Sequence, residues 1–137
     1  MIDACGHLDT AVWGGIMTRA AIKRNLGGVV IDGGVMDVAE IRELNFPTFV
    51  AGVVPRGPSK GFGGVIDSSI SCGGCSVSPG DLIIGDDDGV VVIPLRRHDE
   101  VLKESIIRIR NEEKVNSETE SGRFPYETFD FEIDTIT

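Results

Sequence analysis

The sequence predicts an α/β fold: a small mixed sheet layered with helices, plus a β-rich layer. Three observations carry this. Helical and strand-like segments alternate from residue 10 to residue 54, short strand-like runs divided by turns follow to residue 94, and a last segment is amphipathic. Alternating helix and strand favours parallel pairing, because a parallel connection needs a crossover.

Each element has a local reason. Residues 1–7, MIDACGH, read as the end of a strand running into a Cys-Gly-His turn. A helix is predicted over residues 10–26, capped by Asp9 or Thr10. Val12, Ile16, Ala20 and the stem of Lys23 share one face of it. The Gly14-Gly15 pair costs propensity inside a helix and makes better sense at its start, where backbone is exposed to something. NLGG at 25–28 stops the helix. GVVIDGG is a short buried strand, and Asp37 to Leu44 is a second helix with Val38, Ile41 and Leu44 on its apolar side. Pro47 precedes a strand, TFVAGVV, at 48–54.

The Pro- and Gly-rich stretch PRGPSKGFGG, residues 55–64, is a loop. VIDSSIS, CSVSPGDLIIG and DDGVVVIP then read as short strands, with SPGD and GDDDG as turns between them. His98 to Glu113 is a final amphipathic helix bearing Val101, Leu102, Ile106 and Ile109. Beyond Asn116 the chain is polar and acidic, with a late patch, FPYETFDFEI, that is either an arm packing on a neighbour or a frayed tail. The expected division is a single domain over 1–115 and a C-terminal tail or arm over 116–137.

With 137 residues, one domain with a modest core is expected. Its 18 glycines are about twice the usual share and imply tight turns or close backbone approaches. A formal net charge of −9 with no Lys/Arg cluster argues against nucleic acid as a partner. No apolar run is long enough to span a membrane, and the acidic, glycine-broken N-terminus does not read as a signal peptide. Three cysteines do not make a disulfide framework, so a reducing, cytoplasmic setting is expected.

Four constellations bear on chemistry. Glycines opening a helix at WGGIM leave amides that suit a carboxylate or phosphate; the plainer alternative is close packing of two elements. Asp37, between a strand and a helix, is either a hard ligand for a divalent metal or a helix cap. Glu40 offers a second carboxylate one turn on, and Asp32 an acceptor for loop N–H groups. Cys72 and Cys75 form a CxxC between strand-like runs rather than at a helix start, which fits a glycine turn better than a redox site. Zinc would need Cys5 and His7 as well. GDDDG fails the EF-hand spacing and reads as a hairpin turn.

Taken together, WGGIMTRAA, GGVVIDGGVMDVAEIRE, FPTFVAGVVPRGPSK, SCGGCSVSPGD and DLIIGDDDGVVVIP resemble the RraA-like and class II 4-hydroxy-4-methyl-2-oxoglutarate aldolase family. Older descriptions of that family often say demethylmenaquinone methyltransferase. The resemblance runs from about residue 1 to about residue 123. It implies a swivelling β/β/α domain, a homotrimer or homohexamer, and a lyase that releases pyruvate from oxo acids with Mg²⁺ or Mn²⁺. Many such enzymes also decarboxylate oxaloacetate.

Carried over residue by residue, the resemblance puts substrate binding on Gly14, Gly15, Ile16 and Met17, and the metal and the catalytic carboxylate on Asp37. The family's substrate arginine falls on Met36. In such a site the metal polarises a keto oxygen, helix-start amides grip a carboxylate, and an arginine stabilises growing negative charge. Two departures follow: Met36 has neither charge nor donors, and Gly15 stands where many members have Glu. Dozens of N-terminal residues usual in the family are also missing. The expectation is therefore a weak or altered lyase; the alternative is a non-catalytic regulator or assembly protein of the ribonuclease-inhibitor RraA type.

Overall fold

The computed structural model describes residues 1–59, 61 and 63–128. They form two compact units, Met1–Leu95 and Arg96 onward.

The first unit is built on a three-stranded parallel sheet in the order β1 (Ile2–Trp13), β2 (Val29–Val35), β3 (Thr48–Val53). Two helices make the crossovers, α1 (Gly15–Lys23) and α2 (Val38–Glu43). Two antiparallel hairpins follow: β4 (Ile70–Cys72) with β5 (Cys75–Val77), and β6 (Leu82–Asp86) with β7 (Gly89–Ile93). The parallel sheet and the β-rich part are thus both present, as expected.

The core lies on one side of the parallel sheet. Trp13, Ala21, Val29, Ile31, Val35, Ile41 and Phe46 form one buried cluster, with Ile2, Val12, Val38 and Val50 packed at its margin. Burial of such side chains contributes roughly 1.5–3 kcal/mol each. Thr18 is fully buried yet satisfied: its hydroxyl accepts from Trp13 Nε1 at 2.8 Å and donates to the Gly14 carbonyl at 3.0 Å.

The helix expected from residue 10 starts later. Residues 10–13 finish β1, and neither Asp9 nor Thr10 caps α1; Gly14 is the cap residue, in extended conformation. Ala11 and Trp13 alternate inward at the end of this strand, a period of two rather than 3.6. The strand was hard to see because Cys5 and Gly6 take positive φ and the register with β2 shifts three times. The expectation that the glycine pair sits at the helix start holds.

Gly33 and Gly34 of β2 are there for space. A Cβ on Gly33 would lie 2.8 Å from Ala4 Cβ, and one on Gly34 2.9 Å from Val54 Cγ2. Neighbouring segments close over the strand on both positions. Of the expected run VIDSSIS, only the last two residues, Ile70 and Ser71, are strand, at the start of β4. SPGD is a turn held by Asp81, whose carboxylate accepts the Ser78 and Leu95 amides at 2.8 and 3.2 Å. GDDDG is the β6–β7 hairpin turn.

The second unit holds α3 (His98–Glu120) and the short α4 (Pro125–Thr128). The expected end at Glu113 is seven residues early. No breaker occurs before Gly122, whose positive φ closes the helix, and Lys114–Glu118 is an i,i+4 pair along the extension. The end of the FPYETFDFEI patch, from Phe129, lies outside the described residues. Among the described residues, no helix is long and apolar enough to cross a membrane.

Candidate functional site

Parallel strands deliver their C-terminal ends to one edge, and helices leave from there. In open α/β sheets ligands bind in the crevice outside those strand ends. Here the edge gathers Gly14 after β1, Met36 and Asp37 after β2, and Val54 and Pro55 after β3. The ladder continues past the strands: the Met36 amide donates to the Trp13 carbonyl at 3.0 Å, and the Val54 amide to the Val35 carbonyl at 2.9 Å. That locks the three strand exits side by side.

Asp37 has φ 59° and ψ 33°, left-handed for a non-glycine residue. Asp tolerates this better than most, and such outliers concentrate at functional positions. The side chain does not cap α2, which it immediately precedes. Its Oδ2 accepts the Gly15 amide at 3.0 Å, so Asp37 caps α1 instead. The cap expected of this residue is thus present, but on α1 rather than on the helix that follows it.

Gly14 and Gly15 are required by what lies against them. A Cβ on Gly14 would meet Asp37 Oδ2 at 2.7 Å and Met36 Cγ at 3.0 Å. Met36 thus covers the start of α1 where the family arginine is expected. A Cβ on Gly15 would collide with the Glu40 carboxylate. Glu40 also accepts from Arg19 Nε at 2.8 Å. Ile16, next on α1, is 85% exposed, and Met17 is 50% exposed. The structure therefore brings Gly14, Gly15, Met36 and Asp37 together, with Ile16 and Met17 turned outward beside them. A cavity of about 300 Å³ lined by Met36, Asp37, Val38, Val53, Val54 and Pro55 adjoins this edge. A larger one, about 440 Å³, lies between α2 and β3 and includes neither Asp37 nor the glycines.

Arg19 and Glu40 were the residues whose pairing the sequence did not announce. Both are separately visible, but 21 residues apart on different helices.

The other constellations resolve differently. Asp32 accepts the Gly73 amide at 3.0 Å, pinning the β4–β5 turn to the sheet. Gly73 and Gly74 both take positive φ, the two-residue turn that suits a hairpin. Cys72 is buried and donates weakly to the Ile2 carbonyl at 3.6 Å, whereas Cys75 is exposed. Burial pushes the Cys72 thiol above its ordinary pKa, and the Asp3 charge does the same to Cys5. His7 bonds Thr10 at 2.9 Å within β1. Among the described residues, no three His, Cys, Asp or Glu side chains are gathered as a metal cage.

Comparison with known proteins adds the following. Residues 1–92 match the family described as RraA-like, Aldolase/RraA. Protein DlpA of Legionella pneumophila is 36% identical over 123 residues, which is 89% of this chain and 20% of that protein. A Halalkalibacterium halodurans protein named "Putative 4-hydroxy-4-methyl-2-oxoglutarate aldolase" is 39% identical over 105 residues, 77% of this chain and 50% of that one. This chain thus spans half or less of either relative. Among solved structures, Streptomyces coelicolor RraAS2, described as an unusual member of the RNase ES inhibitor RraA protein family, superposes with a TM-score of 0.78 at 29% identity, covering 85% of this chain and 60% of that one. The RNA-processing inhibitor RraA from Thermus thermophilis gives 0.63 at 33% identity, covering 67% and 56%.

Proposed function

This chain belongs to the RraA-like family, and from that premise we propose that its strand-end site is a divalent-metal-assisted lyase site for small oxo acids, of the 4-hydroxy-4-methyl-2-oxoglutarate aldolase type, with weakened catalysis. The observation that carries the reading is the Asp37 carboxylate held against the Gly14–Gly15 start of α1. One side of that turn is an anion-accepting backbone, the other a hard oxygen donor.

The donor set suits Mg²⁺ or Mn²⁺ bound largely through water. Asp37 Oδ2 is engaged by one amide, which leaves Oδ1 to serve as a direct ligand. Such an ion supplies Lewis-acid polarisation of a keto oxygen. The rest falls to the protein: with the Gly15 amide taken by Asp37, the amides of residues 16 and 17 are left for the substrate carboxylate, and Asp37 sets the edge of the pocket. Met36 covers Gly14 with an apolar side chain, so the charge that develops on the departing pyruvate fragment lacks the stabilisation an arginine gives. Oxaloacetate decarboxylation draws on the same geometry.

Family membership supports a homotrimer, alone or paired into a hexamer, and the exposed Ile16 and Met17 are apolar surface that a neighbouring copy would cover. The second reading is a non-catalytic regulator of the RraA type. The cover that Met36 places on Gly14 favours it, since that contact closes part of the anion site.

The deciding experiment is pyruvate release from oxaloacetate and from 4-hydroxy-4-methyl-2-oxoglutarate, with and without Mg²⁺ or Mn²⁺. A slow, metal-dependent rate that Asp37→Asn abolishes is expected. No rate in a protein that binds Mg²⁺ would favour the regulator.

A further inference from the structure

Met36 stands where the family resemblance implies an arginine, yet a guanidinium stands on α1. Arg19 lies one helical turn beyond Gly15 on α1 and contacts Glu40 of α2 through Nε alone, at 2.8 Å. The Glu40 carboxylate lies in the gap that the missing side chain of Gly15 leaves. A carboxylate is therefore already seated beside Gly15, and it is the protein's own.

We propose that Arg19 is the substrate-positioning cation of this site and that Glu40 is its internal competitor, displaced when an oxo-acid carboxylate binds. This rests on the oxo-acid reading above. Three features support it. The pair lies at the surface, with Arg19 61% and Glu40 38% exposed, so it is weakly held and exchangeable. Among the described residues the guanidinium donates through Nε alone, and an incoming carboxylate can take the two-pronged contact that Glu40 does not make. Asp37 borders Gly14 and accepts from the Gly15 amide, and Glu40 borders Gly15, so an anionic substrate needs a cation there, and Arg19 contacts that border through Glu40. Arg56, in the loop after β3, forms no ion pair among the described residues.

The proposal fixes the sign of each effect. Arg19→Gln weakens binding, Glu40→Gln strengthens it, and Glu40→Gln gives no gain once Arg19 is gone. Arg19→Lys, which keeps the charge but not the fork, recovers part of the loss.

The test is titration calorimetry of the full chain with oxalate and with pyruvate in the presence of Mg²⁺, alongside KM and kcat for oxaloacetate. Expected are about tenfold weaker oxalate binding in Arg19→Gln and about threefold tighter binding in Glu40→Gln, with KM moving far more than kcat. The double variant should match Arg19→Gln, Arg56→Gln should match wild type, and thermal melts should show all variants folded. The proposal is overturned if wild type binds oxalate and Arg19→Gln binds it equally well, or if Glu40→Gln weakens binding. If wild type binds neither probe and turns over no oxaloacetate, the oxo-acid reading falls, and this inference with it.

Discussion

The Gly15 amide donates to the Asp37 carboxylate at 3.0 Å across 22 residues of sequence. The start of α1 is therefore fixed by a side chain from the neighbouring strand exit, and the two loops behave as one structural unit. The Met36 amide, which donates to the Trp13 carbonyl at 3.0 Å, ties the same two loops through the backbone.

Replacing Asp37 separates its two roles. Asn keeps an acceptor for Gly15 and tolerates left-handed backbone, so Asp37→Asn should cost about 1 kcal/mol or less in urea unfolding. Ala loses both, and Asp37→Ala should cost roughly 1–3 kcal/mol. Mg²⁺ or Mn²⁺ binding heats should vanish in both. Equal heats in wild type and Asp37→Asn would remove this residue from any metal site.

Thr18 tests the packing beneath the site. It is fully buried, and its hydroxyl is the partner of the Trp13 indole. Thr18→Val keeps the shape and leaves the indole N–H without an acceptor, which should cost about 1–3 kcal/mol. Trp13 is the single tryptophan, so its fluorescence reports the change directly. An unfolding midpoint equal to wild type would mean that water replaces the hydroxyl.

The thiols should differ in rate and in pH response. Cys72 is 6% exposed, and desolvation raises its pKa, whereas Cys75 on the same hairpin is exposed. Iodoacetamide should label Cys75 well before Cys72 in the native protein at pH 8. Because the folded-state pKa of Cys72 is raised, its contribution to stability is complete below the ordinary thiol pKa. It is lost as pH rises through the folded value. Cys72→Ser should flatten that alkaline decline. Equal labelling of the two cysteines would show that the hairpin opens readily.

How far the sequence disclosed this arrangement depends on the range of the interactions. The parallel core was legible because GVVIDGG and TFVAGVV are apolar runs bounded by breakers, and both became strands within a residue or two. The start of α1 was not, because Val12, Ile16 and Ala20 mimic a helical stripe while Ala11 and Trp13 are committed to the sheet by β2. The same limit governs the site. Asp37 and the glycine pair stand out locally, but that Asp37 caps α1, and that Glu40 fills the gap at Gly15, depends on contacts more than 20 residues apart. Local propensity carries no information about such pairs.

Met36 offers the sharpest test of the site itself. Its amide is tied to the Trp13 carbonyl, so the backbone is fixed whatever the side chain. Its Cγ covers Gly14, and its sulfur points toward the 55–57 loop, 3.9 Å from where a Cβ on Gly57 would be. An arginine stem can follow the same path, so Met36→Arg should change stability by less than about 1 kcal/mol. The added fork of donors should then raise metal-dependent pyruvate release from oxaloacetate at least about tenfold, which is about 1.4 kcal/mol of transition-state stabilisation. A gain in kcat rather than in KM would place the new contact in the transition state. If wild type is already fast and Met36→Arg adds nothing, another cation supplies that charge, and Arg19 is the first to remove. If both proteins bind Mg²⁺ and neither turns over, the scaffold carries a non-catalytic role.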